Sequence, residues 1–129
     1  MGSSYTHKNI SEVKDSAPEF GFGEHAEMRF AREAFDAEDT GFTYHRTNPN
    51  VHSGFGHRHE EAEEVYVVIS GSGRAKLDDD IIEIGKLDVI RVAPEVWRSF
   101  SAGPEGLEML AFGARHDGDG EVDPQWWTE

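Results

Sequence analysis

Three side chains carry the clearest chemical signal in this chain: His57, His59 and Glu64, within the stretch 51–73. His57 and His59 stand at alternate positions, so on a strand both imidazoles project from one face. Glu60, Glu61 and Ala62 form a polar break at which the chain can reverse. Glu64 then opens a returning strand through Val65 to Ile69, which leads to Gly71-Ser72-Gly73, read here as a turn. On that arrangement two imidazoles and a carboxylate converge from neighbouring strands. Imidazole suits Zn, Ni, Cu or Fe and the carboxylate supplies negative charge, so the set has the chemistry of a divalent metal centre. The same spacing also describes a surface hairpin rich in His and Glu that binds nothing.

Other polar residues are read against that set. Tyr66 and Val68 share the parity of Glu64 and face the same interior, where Tyr66 is a proton donor or packing. His45 lies on the preceding strand, either lining the pocket or satisfied elsewhere. His52 is in a loop, and His7, His25 and His116 fall in weakly structured segments. Glu60, Glu61 and Glu63 make a solvated rim. Trp97 faces away from its neighbour Arg98 and belongs to core or interface.

The elements that must position these groups are short strands. Met28 to Ala31 alternates briefly, Arg32 to Asp36 is a single helical turn, and Phe42 to Thr47 alternates aromatic and β-branched residues. Arg74–Leu77, Ile81–Ile84, Leu87–Val92, Val96–Phe100 and Leu107–Phe112 follow. Turns are expected at Asp78-Asp79-Asp80, Gly85-Lys86, Ala93-Pro94-Glu95 and Ala102 to Gly106. Strands this short, with no sustained helical period, indicate an all-β antiparallel sandwich or barrel. The chain divides into an N-terminal arm with first strands (1–39), a barrel (40–113) and an acidic tail (114–129). Ile10 and Val13 dock the arm, and Trp126 and Trp127 fold back on the body or a partner.

With 129 residues there is room for one domain and one core. Asp and Glu number 26 against 12 Lys and Arg, a net charge of −14. Such a chain repels phosphate backbones, which argues against nucleic acid as a partner. There is no apolar run of membrane-spanning length and no signal-peptide pattern, so no membrane partner is expected. The absence of cysteine excludes disulfides and thiolate ligands and fits a cytoplasmic protein.

The stretch around the histidines resembles the first cupin motif. That motif runs glycine, five residues, His-x-His, three or four residues, glutamate, six residues, glycine; His57, His59, Glu64 and Gly71 fit it, and Val51 stands on the leading glycine. The resemblance extends over 40–113 and implies a double-stranded β-helix, or jelly-roll barrel, with a site inside its mouth. It also implies a divalent metal (Zn, Ni, Fe, Mn or Cu) held by His57, His59 and Glu64. Leu87 to Ala102 aligns with the second cupin motif less well: Leu87, Ala93, Glu95 and Ala102 replace its Gly, Pro, Gly and Asn. Arg98 stands on the fourth metal ligand, normally histidine.

A guanidinium has donors only and cannot ligate a cation. Two outcomes follow. Either three residues hold a metal and Arg98 meets a bound anion, or Arg98 pairs with Glu64 and takes the metal's electrostatic place. A buried Glu64 with neither partner would be costly. Three functions remain open: a metal-dependent oxygenase, isomerase or lyase acting on a small organic acid; a metal-free binding or sensing module for a small anion, with Arg98, Tyr66 and His45 as ligand-binding residues; and, less supported, an epimerase-type cupin. Both faces of the Glu64–Ile69 strand are apolar and need cover, which predicts a homodimer to which the N-terminal segment or Trp126 and Trp127 of the tail contribute.

Overall fold

The computed structural model describes residues 4–52, 54–114 and 119–127, so His116 lies outside the described residues. It contains eight strands: β1 (Ala26–Phe30), β2 (Thr40–Thr47), β3 (Gly56–His59), β4 (Glu64–Leu77), β5 (Asp80–Gly85), β6 (Val89–Val92), β7 (Arg98–Ala114) and β8 (Gly120–Asp123). Every pairing is antiparallel. Two short 3₁₀ segments, Ile10–Glu12 and Ala17–Phe20, precede β1. No helix among the described residues is long and apolar enough to cross a membrane.

The fold hinges on the two longest strands, β4 and β7, which pair along their whole length. Their upper halves, Glu64–Gly71 against Leu107–Gly113, carry β6 on one side and β2 then β1 on the other. Their lower halves, Gly73–Leu77 against Arg98–Ala102, carry β5 on one side and β3 then β8 on the other. One curled sheet thus becomes two facing layers that share β4 and β7. The core lies between them: Tyr66, Val68, Ala75, Ile84, Ile90, Val92, Leu107 and Met109 are all buried. Tyr66 and Val68, on the parity read from the sequence, are 2% and 0% exposed.

Two expected turns are not turns. Gly71-Ser72-Gly73 lies inside β4, and Ala102 to Gly106 lies inside β7. The chain bends there through register shifts at Val68/Ser70 and Gly71/Gly73. Gly71 has φ +80° and Gly106 φ +81°. A Cβ on Gly71 would run into the Gly106 carbonyl, and one on Gly73 into the Ser101 carbonyl. The glycines serve a bulge and close backbone approach rather than chain reversal.

The remaining expectations sort by local chemistry. The Asp78 turn joins β4 to β5 as an antiparallel hairpin. The residues at 32–36 turn once, with Phe35 N–H donating to Ala31 O at 3.0 Å. The arm docks through Val13, 5% exposed. Arg98 opens β7, while Leu87 stands before β6 at φ +73° and 72% exposed. The tail supplies β8, a strand the sequence did not suggest, which pairs with β3.

Candidate functional site

The register places the chemistry. His57 lies opposite Arg98 across β3 and β7. Glu64 opens β4 after the Glu60–Glu63 break, and Tyr66 follows on the same face. Five side chains consequently meet at one atom, Glu64 Oε1. Arg98 Nη1 donates to it at 2.7 Å and Tyr66 O–H at 2.7 Å. His57 Nε2 stands 3.3 Å away and His59 Nε2 3.2 Å. The two imidazoles lie edge-on, with ring centres 5.3 Å apart.

Arg98 is the most enclosed of these groups, with 0% exposure. Its remaining donors are taken by main-chain carbonyls: Nε and Nη2 to Val96, and Nη2 to Ala93 and Pro94, at 2.8–3.1 Å. The turn before β7 thus wraps the guanidinium with its own carbonyl oxygens and aims Nη1 at Glu64. The guanidinium is thus paired with the Glu64 carboxylate.

The electrostatics follow. Burial pushes the Glu64 carboxyl up, but the contacts with His57, His59 and Tyr66 outweigh it and hold Glu64 far below the usual carboxylate range. Burial, reinforced by the Glu64 charge, pushes the Tyr66 phenol well above its ordinary value. Glu64 is therefore an anion and Tyr66 a neutral donor throughout the physiological range.

His59 has a second neighbour that the sequence did not reveal. Asp119 Oδ2 lies 3.6 Å from His59 Nδ1. Asp119 is itself pinned by the N–H groups of Glu60, Glu61 and Ala62 at 2.6–2.9 Å. Its carboxylate faces the imidazole and ties the tail to the β3–β4 connection. Nothing in an acidic tail distinguishes this aspartate from its neighbours. Both ring nitrogens of His59 are buried without a hydrogen bond.

His57, His59 and Glu64 each offer one ligand atom, all within 4.8 Å of one another, so a single ion can bridge them. The donor set, two imidazoles and a carboxylate, is one that divalent transition metals accept. Arg98 does not fit such a centre: a fixed cation already sits on the carboxylate that would ligate.

A cavity of about 370 Å³ opens beside the cluster, with His57, Tyr66 and Arg98 in its floor. His45 lines it as well, between Met28 and Met109 in the register, and makes no hydrogen bond among the described residues. Burial and the neighbouring His57 lower the His45 pKa to about 4, so its imidazole is neutral at pH 7. His52 lines the rim and bonds Trp127 O at 2.9 Å; Trp127 is buried, and Trp126 stacks on Trp97. A second hollow, about 500 Å³, touches His59 and Glu64 from the opposite side.

No protein-family model matches this chain, and neither does any curated protein. Solved structures do. A cupin protein from Bacteroides fragilis superposes with a TM-score of 0.71 at 18% identity, over 91% of this chain and 89% of that one. A variant of B. subtilis oxalate decarboxylase gives 0.73 at 21% identity; 94% of this chain covers 33% of that longer one. A variant of Streptomyces Pac13 solved with uridine gives 0.69 at 15% identity, over 95% and 92% of the two chains. Identities this low speak for the fold alone, and they agree with the β4–β7 architecture. This chain therefore has the fold of the cupin β-barrels.

Proposed function

We propose that this chain is a metal-free, small-molecule cupin whose Glu64 cluster moves protons on a ligand held in the adjoining cavity. The observation that carries this reading is the Arg98–Glu64 pair at 2.7 Å, with the guanidinium fully enclosed. Glu64 and Arg98 together are neutral. A divalent ion beside them would leave two uncompensated positive charges in a buried site. At about 4 Å and an effective dielectric constant of about 20, Arg98 repels a divalent ion by about 8 kcal/mol, which offsets the attraction that Glu64 would otherwise offer it. Arg98 stands where a cupin metal's fourth ligand would, and supplies the charge the metal would supply.

With Glu64 held ionised and Tyr66 held protonated, proton transfer falls to the imidazoles. His57 sits on the cavity floor within 3.4 Å of Tyr66 Oη and 3.3 Å of Glu64 Oε1. It takes or gives the proton, Glu64 stabilises its charged form, and Arg98 fixes Glu64. That is general acid–base chemistry of the isomerase or lyase type. Streptomyces Pac13, described as a nucleoside dehydratase, offers a small-molecule parallel on the same fold.

A second reading has its own observation. The buried, unbonded ring nitrogens of His59 suit a metal centre of His57, His59 and Glu64. A metal there would polarise a ligand oxygen as a Lewis acid. Elemental analysis of protein purified without a nickel resin separates the two. The first reading expects substoichiometric metal and no rise in melting temperature with Zn, Ni, Mn, Fe or Cu. Equimolar metal overturns it in favour of the second.

A further inference from the structure

We infer that the cavity ligand is an uncharged, flat-ringed molecule with one hydrogen-bonding edge, of the phenol, enol or cyclic amide class, anchored by His45. This rests on the reading that the cavity beside His57 is the functional one. It departs from the expectation that Arg98 clamps a small anion.

The walls suit a ring. Phe22 and Phe55 pack together with ring centres 5.8 Å apart, and Phe55 stacks on His57 at 5.8 Å and 29°. Phe100 closes the far side against Tyr66 at 4.8 Å. Flat aromatic faces favour a flat partner in offset or edge-on contact. A volume of about 370 Å³ limits that partner to a small molecule.

The charges around the cavity are already matched. Arg98 is bonded to Glu64 and to three carbonyls. Arg46 bonds Glu27 at 2.9 Å and Asn48 at 2.6 Å, and Glu27 also bonds Arg29 at 2.6 Å. An anion would have to break one of these pairs, inside a chain whose net charge of −14 already repels it. A cation would find its carboxylates taken in the same way. An uncharged ligand meets neither penalty.

Among the polar side chains of the lining, His45 is the one the strand register sets between two methionines. His45 has no partner among the described residues, lines the cavity and is flanked in the register by Met28 and Met109. A neutral imidazole has one donor and one acceptor, which suits a hydroxyl or amide edge. A ring anchored there projects its polar edge toward His57 and Tyr66, where proton transfer would occur.

The test uses three isosteric probes: p-cresol, 4-methylbenzoate and 4-methylbenzylamine, neutral, anionic and cationic at neutral pH. The readout is the methyl NMR signals of Met28 and Met109, with Met1 as internal reference. We expect p-cresol to shift both signals saturably, with 4-methylbenzoate and 4-methylbenzylamine weaker by at least about tenfold. His45→Leu should weaken p-cresol by about tenfold. A charged probe that saturates as readily as p-cresol overturns the inference. So does an absence of any shift at Met28 and Met109 with all three. Metal content of the same sample is read separately: a metal-loaded protein that still prefers p-cresol defeats the metal-free reading and leaves the ligand class standing.

Discussion

Glu27 and Glu64 each hold an arginine at hydrogen-bond distance, and they differ in what surrounds the pair. Glu27, on β1, meets Arg29 and Arg46; the Arg46 side chain is 43% exposed. Glu64 meets Arg98, whose side chain is 0% exposed. The two glutamate side chains are alike, each 19% exposed; the difference lies in the arginines, since water can take over from Arg46 but does not reach Arg98, whose Nε and Nη2 depend on carbonyls of the turn before β7. The same pair chemistry is a rim ornament in one place and the charge balance of a candidate active site in the other.

Breaking the buried pair should have the largest effect. Arg98→Ala leaves Glu64 enclosed without its cation and strips donors from Ala93, Pro94 and Val96. It should cost about 3–5 kcal/mol of unfolding free energy in denaturant titration. A loss no greater than that of a surface substitution would erase the contrast drawn here.

Acid should weaken the interior next. His45 has its pKa lowered to about 4 from an ordinary 6.5. The unfolded chain therefore binds a proton that the folded one refuses between these values, and stability falls as pH falls from 6.5 to 4. The difference of about 2.5 units corresponds to about 3 kcal/mol. Glu64 acts in the same direction lower down: its depressed pKa stabilises the fold above 4.5, and that contribution declines as pH drops below it. Melting temperature followed against pH should show the upper slope in the wild type and lose it in His45→Phe. A flat profile from pH 6.5 to 4 in the wild type would mean that His45 titrates normally.

Asp119→Asn tests the tie between the tail and His59. The Asn amide removes the negative charge 3.6 Å from His59 Nδ1 and turns one acceptor of the Glu60–Ala62 N–H groups into a donor. The expected outcome is a displaced His59 nitrogen resonance, with a lower melting temperature. An unchanged His59 signature would confine Asp119 to loop capping.

The smallest effect should come from the rim. Arg46→Ala should cost only about 0.2–1 kcal/mol, as exposed pairs usually do. A loss matching that of Arg98→Ala would show that exposure does not distinguish the two glutamates.

The all-β fold was legible in the sequence, and so was the grouping of side chains at the candidate site. His57, His59 and Glu64 were legible because strand periodicity and spacing confine them to one face, and Tyr66 followed from parity. The weight on Arg98 came from motif alignment, not from anything local. Gly71 and Gly73 misled because glycine marks turns and bulges alike; which it serves depends on β7, some 30 residues away in the chain. Asp119 and β8 were invisible for a related reason. A short acidic strand has no hydrophobic pattern, and its partner β3 lies about 60 residues earlier.

The central claim, that Arg98 takes the place of a metal, is tested most directly by titrating Zn²⁺ into the wild type and Arg98→His side by side in a calorimeter. Arg98→His removes a buried positive charge and adds a neutral donor at the fourth-ligand position. The account predicts weak or undetectable binding to the wild type and an affinity at least about tenfold higher in Arg98→His. Tight equimolar binding by the wild type, with no gain in Arg98→His, would contradict it.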